Sequence, residues 1–267
     1  MNQHETWKTM SMKSQKYSIF TISDSTYFRF TEVFLKSLFS KLNTDKIEKV
    51  FICDLGHTDE EKKFITSFDR VQLIQPIKKI DVSKNLWDTN WLNKVGSKTE
   101  NLLKLLNNRV EPIVMIDVDS MFIKDFYDLL DFNYDIQVTH RPFHEFKYIA
   151  SFFSVNNKAG KRFIESWIEN IKTIPKKPKE TRAMCQTIKE FELTNPDFKI
   201  GKLPVEQIHF YDKEKFVETN DTRIAHFKTW KHKYELGTKE DFEHRIYPRG
   251  YQERLKEYID VQFHDNK

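Results

Sequence analysis

Apolar and polar positions alternate along the chain in two rhythms, one of strand length and one of helix period. After a polar leader, Tyr17-Ser-Ile-Phe-Thr-Ile22 is a short apolar run that predicts a buried strand. From Thr26 to Leu42, apolar residues fall at Phe30, Phe34 and Leu38, and again at Leu35, Phe39 and Leu42, the spacing of one helix face. Lys49–Cys53 predicts a second strand. Thr58 stands three residues before Glu61, the signature of a reciprocal N-terminal cap on a helix running to about Phe68. Val71–Ile74 predicts a third strand, followed by an aromatic-bearing loop with Trp87 and Trp91 and a helix over Thr99–Leu106. Pro112-Ile-Val-Met-Ile116 is the most apolar short run and predicts a central strand ending at Asp117.

This β-α-β-α-β-loop-α-β order implies a largely parallel sheet with helices on both faces. The second half is more mixed. Asp135–Thr139 and Tyr148–Val155 predict strands, and Ala159–Ile171 and Arg182–Phe191 predict helices. Short strands follow near Lys199 and Ile224, and a helix near Gln252–Tyr258. There is no internal repeat, so one compact α/β unit is expected rather than two independent domains.

Composition narrows the function classes. The 267 residues are 39% hydrophobic with 23 Phe, enough for a sizeable core, while 31% are charged. Mean hydropathy is −0.66, and no apolar run approaches the roughly 20 residues a membrane helix needs. The leader lacks an apolar targeting stretch, and Cys53 and Cys185 cannot build a disulfide framework or a four-thiolate zinc site. A water-soluble, cytoplasmic protein is the expectation. The formal charge of +4 is interspersed. Its nearest approach to a basic patch, Lys172–Lys179, is broken by Pro175 and Pro178 and reads as a solvated linker, so no nucleic-acid partner is expected. With six Gly, neither a P-loop nor a dinucleotide fingerprint occurs.

The chemistry concentrates at the end of the central strand. Ligands in open α/β sheets bind at the carboxyl ends of strands, and Asp117-Val118-Asp119 lies there. Alternation puts both carboxylates on one side, a pair of hard oxygen donors suited to Mg²⁺ or Mn²⁺ and through it to a diphosphate. The bland alternative is a turn cap at Asp117 and a solvated Asp119. Asp117-Val-Asp119-Ser120 also resembles the nucleophile loop of haloacid-dehalogenase-type phosphatases, in which the first Asp attacks phosphate. That family carries the loop on its first strand, whereas three βα units precede it here.

Taken in order, these segments resemble the metal-dependent glycosyltransferases of the GT-A fold, in particular the glycogenin-like group. The resemblance implies a Rossmann-like, mixed but mostly parallel sheet flanked by helices. Thr21-Ile-Ser-Asp-Ser-Thr-Tyr27 is similar to the nucleotide-binding turn, which implies base stacking by Tyr27 and donor contacts from Thr21 and Ser23. Asp54-Leu-Gly-His-Thr58 is similar to the turn that opens the second helix, where Gly56 and Thr58 serve as architecture. Lys98 matches the family's donor-reaching Lys in order and spacing. Ile224-Ala-His226-Phe-Lys228 is similar to the His-Phe-x-Gly segment, which makes His226 the third metal ligand beside Asp117 and Asp119, and Lys228 and Lys231 candidate phosphate contacts.

The chain also departs from the pattern: Thr229 stands where the family has Gly, and Trp230-Lys231-His232 only echoes its Lys-Pro-Trp. The sugar-contacting Asn-Ser-Gly strand is represented by Ala150-Ser151-Phe152, and the Asp-Gln pair by Cys185-Gln186 without the acid. The resemblance implies residues 1–16 as leader, 17–123 as the nucleotide-sugar-binding half, 124–238 as the acceptor and metal-completing half, and 239–267 as a charged helical tail. It implies a retaining, Mn²⁺- or Mg²⁺-dependent transfer from a nucleotide sugar, UDP-sugar favoured, to a carbohydrate or other hydroxyl acceptor. An inverting route would need an opposed carboxylate, for which Glu145 and Glu180 are the candidates. Trp87, Trp91, Phe143 and Phe146 could stack on an acceptor sugar. A non-catalytic nucleotide- or carbohydrate-binding relic is the remaining alternative.

Overall fold

The computed structural model describes residues 15–78, 89–108, 112–174, 179–208, 218–227 and 249–260. A seven-stranded sheet runs in the order β3-β2-β1-β4-β7-β6-β8. Its strands are β1 (Tyr17–Ser23), β2 (Ile47–Asp54), β3 (Val71–Ile74), β4 (Ile113–Ile116), β6 (Ile136–His140), β7 (Tyr148–Val155) and β8 (Ile200–Pro204). β1 to β4 pair parallel, β7 runs antiparallel to β4 and β6, and β8 returns parallel to β6. The alternation predicted up to Asp117 gives the parallel strands β1 to β4, and the reversed β7 in the second half makes the sheet mixed but mostly parallel.

Strand alternation divides the core between the two faces. Phe20, Ile113 and Met115 point to one side, where α3 (Thr89–Leu106), α4 (Lys158–Thr173) and α5 (Lys179–Thr194) supply Leu102, Phe163, Trp167 and Ile188. Ile19, Val114 and Ile116 point to the other, against Phe34, Leu35 and Leu38 of α1 (Phe28–Lys41) and Ile65 of α2 (Asp59–Thr66). A two-stranded antiparallel sheet joins β5 (Ser120–Phe122) to β9 (Ile224–His226). A third apolar cluster lies beside it. There Phe30 and Val33 of α1 meet Met121, Ala225 and Phe227, and Leu255 of α7 (Arg249–Lys256) closes over them with Ile259. A four-residue α6 (Val205–Ile208) follows β8.

The cap at α2 forms as the sequence requires. Thr58 Oγ1 accepts from the Glu61 amide and the Glu61 carboxylate accepts from the Thr58 amide, while Gly56 takes a φ of 127° in the turn before it. α3 is longer than the predicted Thr99–Leu106, and Trp91 belongs to this helix rather than to a loop; Trp87 lies outside the described residues. Gly96 lies inside α3, where a side chain would meet nothing within 4 Å, so the glycine costs only about 1 kcal/mol of helix propensity. No helix among the described residues is long and apolar enough to cross a membrane.

Candidate active site

The residue after β4 stays in the ladder: the Asp117 amide donates to the Ser151 carbonyl at 2.9 Å, so Asp117 continues the strand beside β7. Val118 turns inward and is buried, leaving the carboxylates of Asp117 and Asp119 to share one side. The chain then enters β5, where Ser120 pairs with His226 of β9, and the Phe227 amide donates to the Asp119 carbonyl at 2.7 Å. This register carries the imidazole to the carboxylates. His226 Nε2 lies 3.1 Å from Asp119 Oδ1 and 3.5 Å from Asp117 Oδ2. One ligand atom from each of the three residues falls within 4.8 Å of the others. The imidazole is 5% exposed, while Asp117 and Asp119 remain 28% and 17% exposed, so the group opens to solvent through its carboxylates.

Lys98 comes from α3 to the other side of Asp117. Its Nζ donates to Asp117 Oδ1 at 2.7 Å and lies 3.0 Å from Glu180 Oε1, with only 6% of the side chain exposed. Glu180 sits in the first turn of α5, which the Trp167 indole pins by donating to the Glu180 carbonyl at 3.0 Å. Charges therefore alternate along Glu180, Lys98, Asp117, His226 and Asp119. Burial alone would raise the Asp117 carboxyl, but Lys98 and His226 outweigh it and hold the group well below the usual carboxylate range. Burial would likewise lower His226, and the two aspartates reverse this, raising it to about 9. Lys98 is raised for the same reason, its two carboxylate partners overcoming burial. Glu180 stays raised, because burial and nearby Asp117 exceed the help from Lys98.

At the end of β1 the predicted nucleotide turn is a 3₁₀ turn capped by Asp24, whose Oδ1 accepts from the Thr26 amide at 3.0 Å. Thr21 and Ser23 are fully buried. The Thr21 hydroxyl has no hydrogen-bond partner among the described residues. The Ser23 hydroxyl is 2.6 Å from Thr31 Oγ1 and 3.2 Å from His57 Nε2, and His57 Nδ1 is 3.1 Å from Asp54 Oδ1. This serine–histidine–aspartate series has no exposed hydroxyl, so it ties the ends of β1 and β2 together instead of presenting a nucleophile. Tyr27 is half-buried, its ring centroid 5.8 Å from that of Phe30.

Ser151 lies beside Asp117, its hydroxyl buried without a hydrogen-bond partner among the described residues. Gln186 is elsewhere: its amide donates to Asn170 Oδ1 at 3.2 Å and Glu190 Oε1 at 2.9 Å on the exposed side of α4 and α5. The acid that α5 sends to the site is Glu180, six residues before Gln186. Glu145 lies exposed on the β6–β7 hairpin, and Phe143 is wholly exposed. Lys228 and Lys231, with Thr229, Trp230 and His232, lie outside the described residues.

Residues 66–241, which hold both aspartates and His226, match the nucleotide-diphospho-sugar transferase family. The chain belongs to that family. It is a glycosyltransferase of the GT-A type, and solved structures show the same fold at low sequence identity. The galactosyltransferase LgtC in complex with donor and acceptor sugar analogues superposes with a TM-score of 0.54 at 13% identity, over 91% of this chain and 97% of that one. An active-site mutant of LgtC gives 0.56 at 12% identity with the same coverage of 91% and 97%. The bifunctional glycosyltransferase WbbM, in its apo form, gives 0.54 at 10% identity; the match covers 80% of this chain but only 46% of WbbM. No curated protein sequence matches the transferase. The phosphatase alternative finds no support, since its aspartate would lie on the first strand and Asp117 follows β4.

Proposed function

We propose that this transferase moves a sugar from a UDP-sugar to a carbohydrate hydroxyl, with retention of anomeric configuration and with Mn²⁺ or Mg²⁺ held by Asp117, Asp119 and His226. The observation that carries the reading is the convergence of those three ligand atoms within 4.8 Å at the carboxyl end of β4. Two hard carboxylates and one imidazole form a donor set that fits Mn²⁺ better than Ca²⁺, and Mg²⁺ through the oxygens. A divalent ion bound there would neutralise charge on the departing diphosphate.

The chain's own groups do the rest. Lys98 holds Asp117 in place through a 2.7 Å bond and adds positive potential where phosphate charge accumulates. Thr21 and Ser23, buried at the end of β1, support the donor-side turn to Tyr27, whose ring stacks on the base. Ser151, buried beside Asp117, backs the position of the transferred sugar, Gln186 lies further along α5, and Lys228 and Lys231 neutralise phosphate. Retention is favoured because Glu180, a candidate opposed base, is already engaged by Lys98 at 3.0 Å.

Incubating the protein with a panel of nucleotide sugars and Mn²⁺ tests the reading through nucleoside diphosphate release. UDP from a UDP-sugar, with the product anomer read by NMR, is the expected result. Silence across the panel despite donor binding would leave only a binding relic.

A further inference from the structure

On the same edge of the sheet, past β7, a cleft of about 930 Å³ opens among the β6–β7 hairpin, β8 and α5. Its place follows from the register. His140 ends β6 opposite Tyr148, which begins β7, and three residues further along β7 Ser151 receives the Asp117 amide. At strand rise that separation is roughly 10 Å, about one or two sugar rings. α5 links the two places as well, with Glu180 at the carboxylate–imidazole group and Arg182 at the cleft.

The cleft combines aromatic faces with basic side chains. The His140 and Tyr148 rings, 5.2 Å apart between centroids, form an aromatic wall, and the Arg182 guanidinium lies 4.5 Å from the centre of the Phe146 ring. Lys147, Lys189 and Lys202 enter from three different elements, Glu145 and Glu192 share the lining, and Glu206 acts on His140 from α6. Lys147 and Lys189 are exposed and form no ion pair among the described residues. Burial lowers the His140 pKa, and the Lys202 and Lys147 charges lower it further against an opposing Glu206 carboxylate. Neutral sugars need aromatic faces and hydroxyl partners; three lysines converging from separate elements add a demand for an anion.

We infer that this cleft binds the acceptor and selects an anionic saccharide, one whose phosphate or carboxylate is held by Lys147, Lys189 and Lys202 while its ring lies against the aromatic wall. The inference rests on the donor assignment above. In the transfer it serves, an acceptor hydroxyl oxygen bonds to the anomeric carbon as the bond from that carbon to the diphosphate oxygen breaks. The nucleoside diphosphate leaves with the electron pair, and the hydroxyl proton passes to a leaving phosphate oxygen.

The test uses the full chain and two readouts. The first is equilibrium binding of glucose, glucose 6-phosphate, glucuronate and inorganic phosphate, without donor or metal. The expected result is that glucose 6-phosphate or glucuronate binds at least about tenfold tighter than both glucose and free phosphate. Lys147→Ala combined with Lys189→Ala should erase most of that preference, with the melting temperature unchanged because both residues are exposed. Which anion is preferred separates phosphate from carboxylate selection. Equal binding of charged and neutral sugars, phosphate binding as tightly as glucose 6-phosphate, or a double variant that keeps the preference would each overturn the inference. The second readout is UDP release with the same acceptors, in which the double variant should raise KM for the charged acceptor about tenfold and change kcat little. Transfer to neutral sugars alone would overturn the cleft inference and leave the transferase reading standing. Charged-sugar binding without consumption of any nucleotide sugar would sustain the cleft as an anionic-saccharide site and sink the donor assignment.

Discussion

Lys98 Nζ lies 3.0 Å from Glu180 Oε1, joining α3 to the first turn of α5 through a side chain that is 6% exposed. The same ammonium holds Asp117 at 2.7 Å, so one buried cation compensates two carboxylates drawn from different elements.

Removing that cation should therefore cost more than removing one of its partners. Lys98→Ala leaves two carboxylates without their counter-ion and is expected to lower unfolding free energy by about 3–5 kcal/mol. Glu180→Gln keeps the volume and should cost less. The double variant should recover part of the Lys98→Ala loss, since one buried negative charge is gone. Urea unfolding of all four proteins closes the cycle; strictly additive losses would show that Lys98 and Glu180 act independently.

Asp119→Asn removes one unit of charge and almost no volume from a side chain that is 17% exposed. Transfer should fall by at least about a hundredfold, in line with loss of a charge that acts on the transition state, while the far-ultraviolet circular dichroism spectrum stays unchanged. Full activity in this variant would remove the aspartate pair from the mechanism.

His226→Ala should raise the Mn²⁺ concentration giving half-maximal activity by tenfold or more, on the order of the effect of losing a ligand-supporting group. The imidazole is 5% exposed, so some loss of thermal stability accompanies the change. A variant that melts lower without metal but needs no more Mn²⁺ than the parent would mark His226 as packing alone.

His57 makes the metal-free fold sensitive to acid. Burial lowers its pKa below the ordinary 6.5, and Asp54 offsets this only in part. The unfolded chain therefore takes up a proton at this residue before the folded one does. Stability linked to neutral His57 is present above pH 6.5 and is lost as pH falls below it toward the folded value. Unfolding free energies measured at pH ~8 and pH ~5.5 should differ less in His57→Gln than in the parent. An unchanged slope would mean His57 is not the group that titrates.

Tyr27→Ala should weaken UDP binding by roughly 1–3 kcal/mol if the ring stacks on the base. The ring also meets Phe30, so a melting curve accompanies the titration. Loss of stability with unchanged nucleotide affinity would return Tyr27 to the core.

Periodicity and capping chemistry alone located the elements that frame the site. The strand at Tyr17, the Thr58 cap and the apolar run ending at Asp117 are local properties, set by side chains within a few residues of one another, and they form where the pattern puts them. The Asp117–Asp119 pair was legible from residue type and strand position, whereas His226 was marked as a ligand only by the resemblance of its segment to the family's His-Phe-x-Gly. Glu180 was legible only as a loose candidate for an opposed base. A helix turns about 100° per residue, so a six-residue offset on α5 leaves Glu180 and Gln186 about 120° apart. Which of them meets Lys98 depends on how α5 is rotated against α3 and α4, and the sequence of α5 does not state that rotation.

α3 begins ten residues before the predicted start at Thr99, in a stretch read from the sequence as an aromatic-bearing loop. Above all, the meeting of His226 with the aspartates depends on β5 and β9, three residues each, too short to leave a periodic signal. Their pairing is a non-local backbone contact, stabilised by the apolar cluster of Phe30, Met121, Phe227 and Leu255 behind it. The residues that could hold a cation were thus written into the sequence, and their convergence was decided by tertiary packing, because hydrogen-bond register between distant segments has no local code.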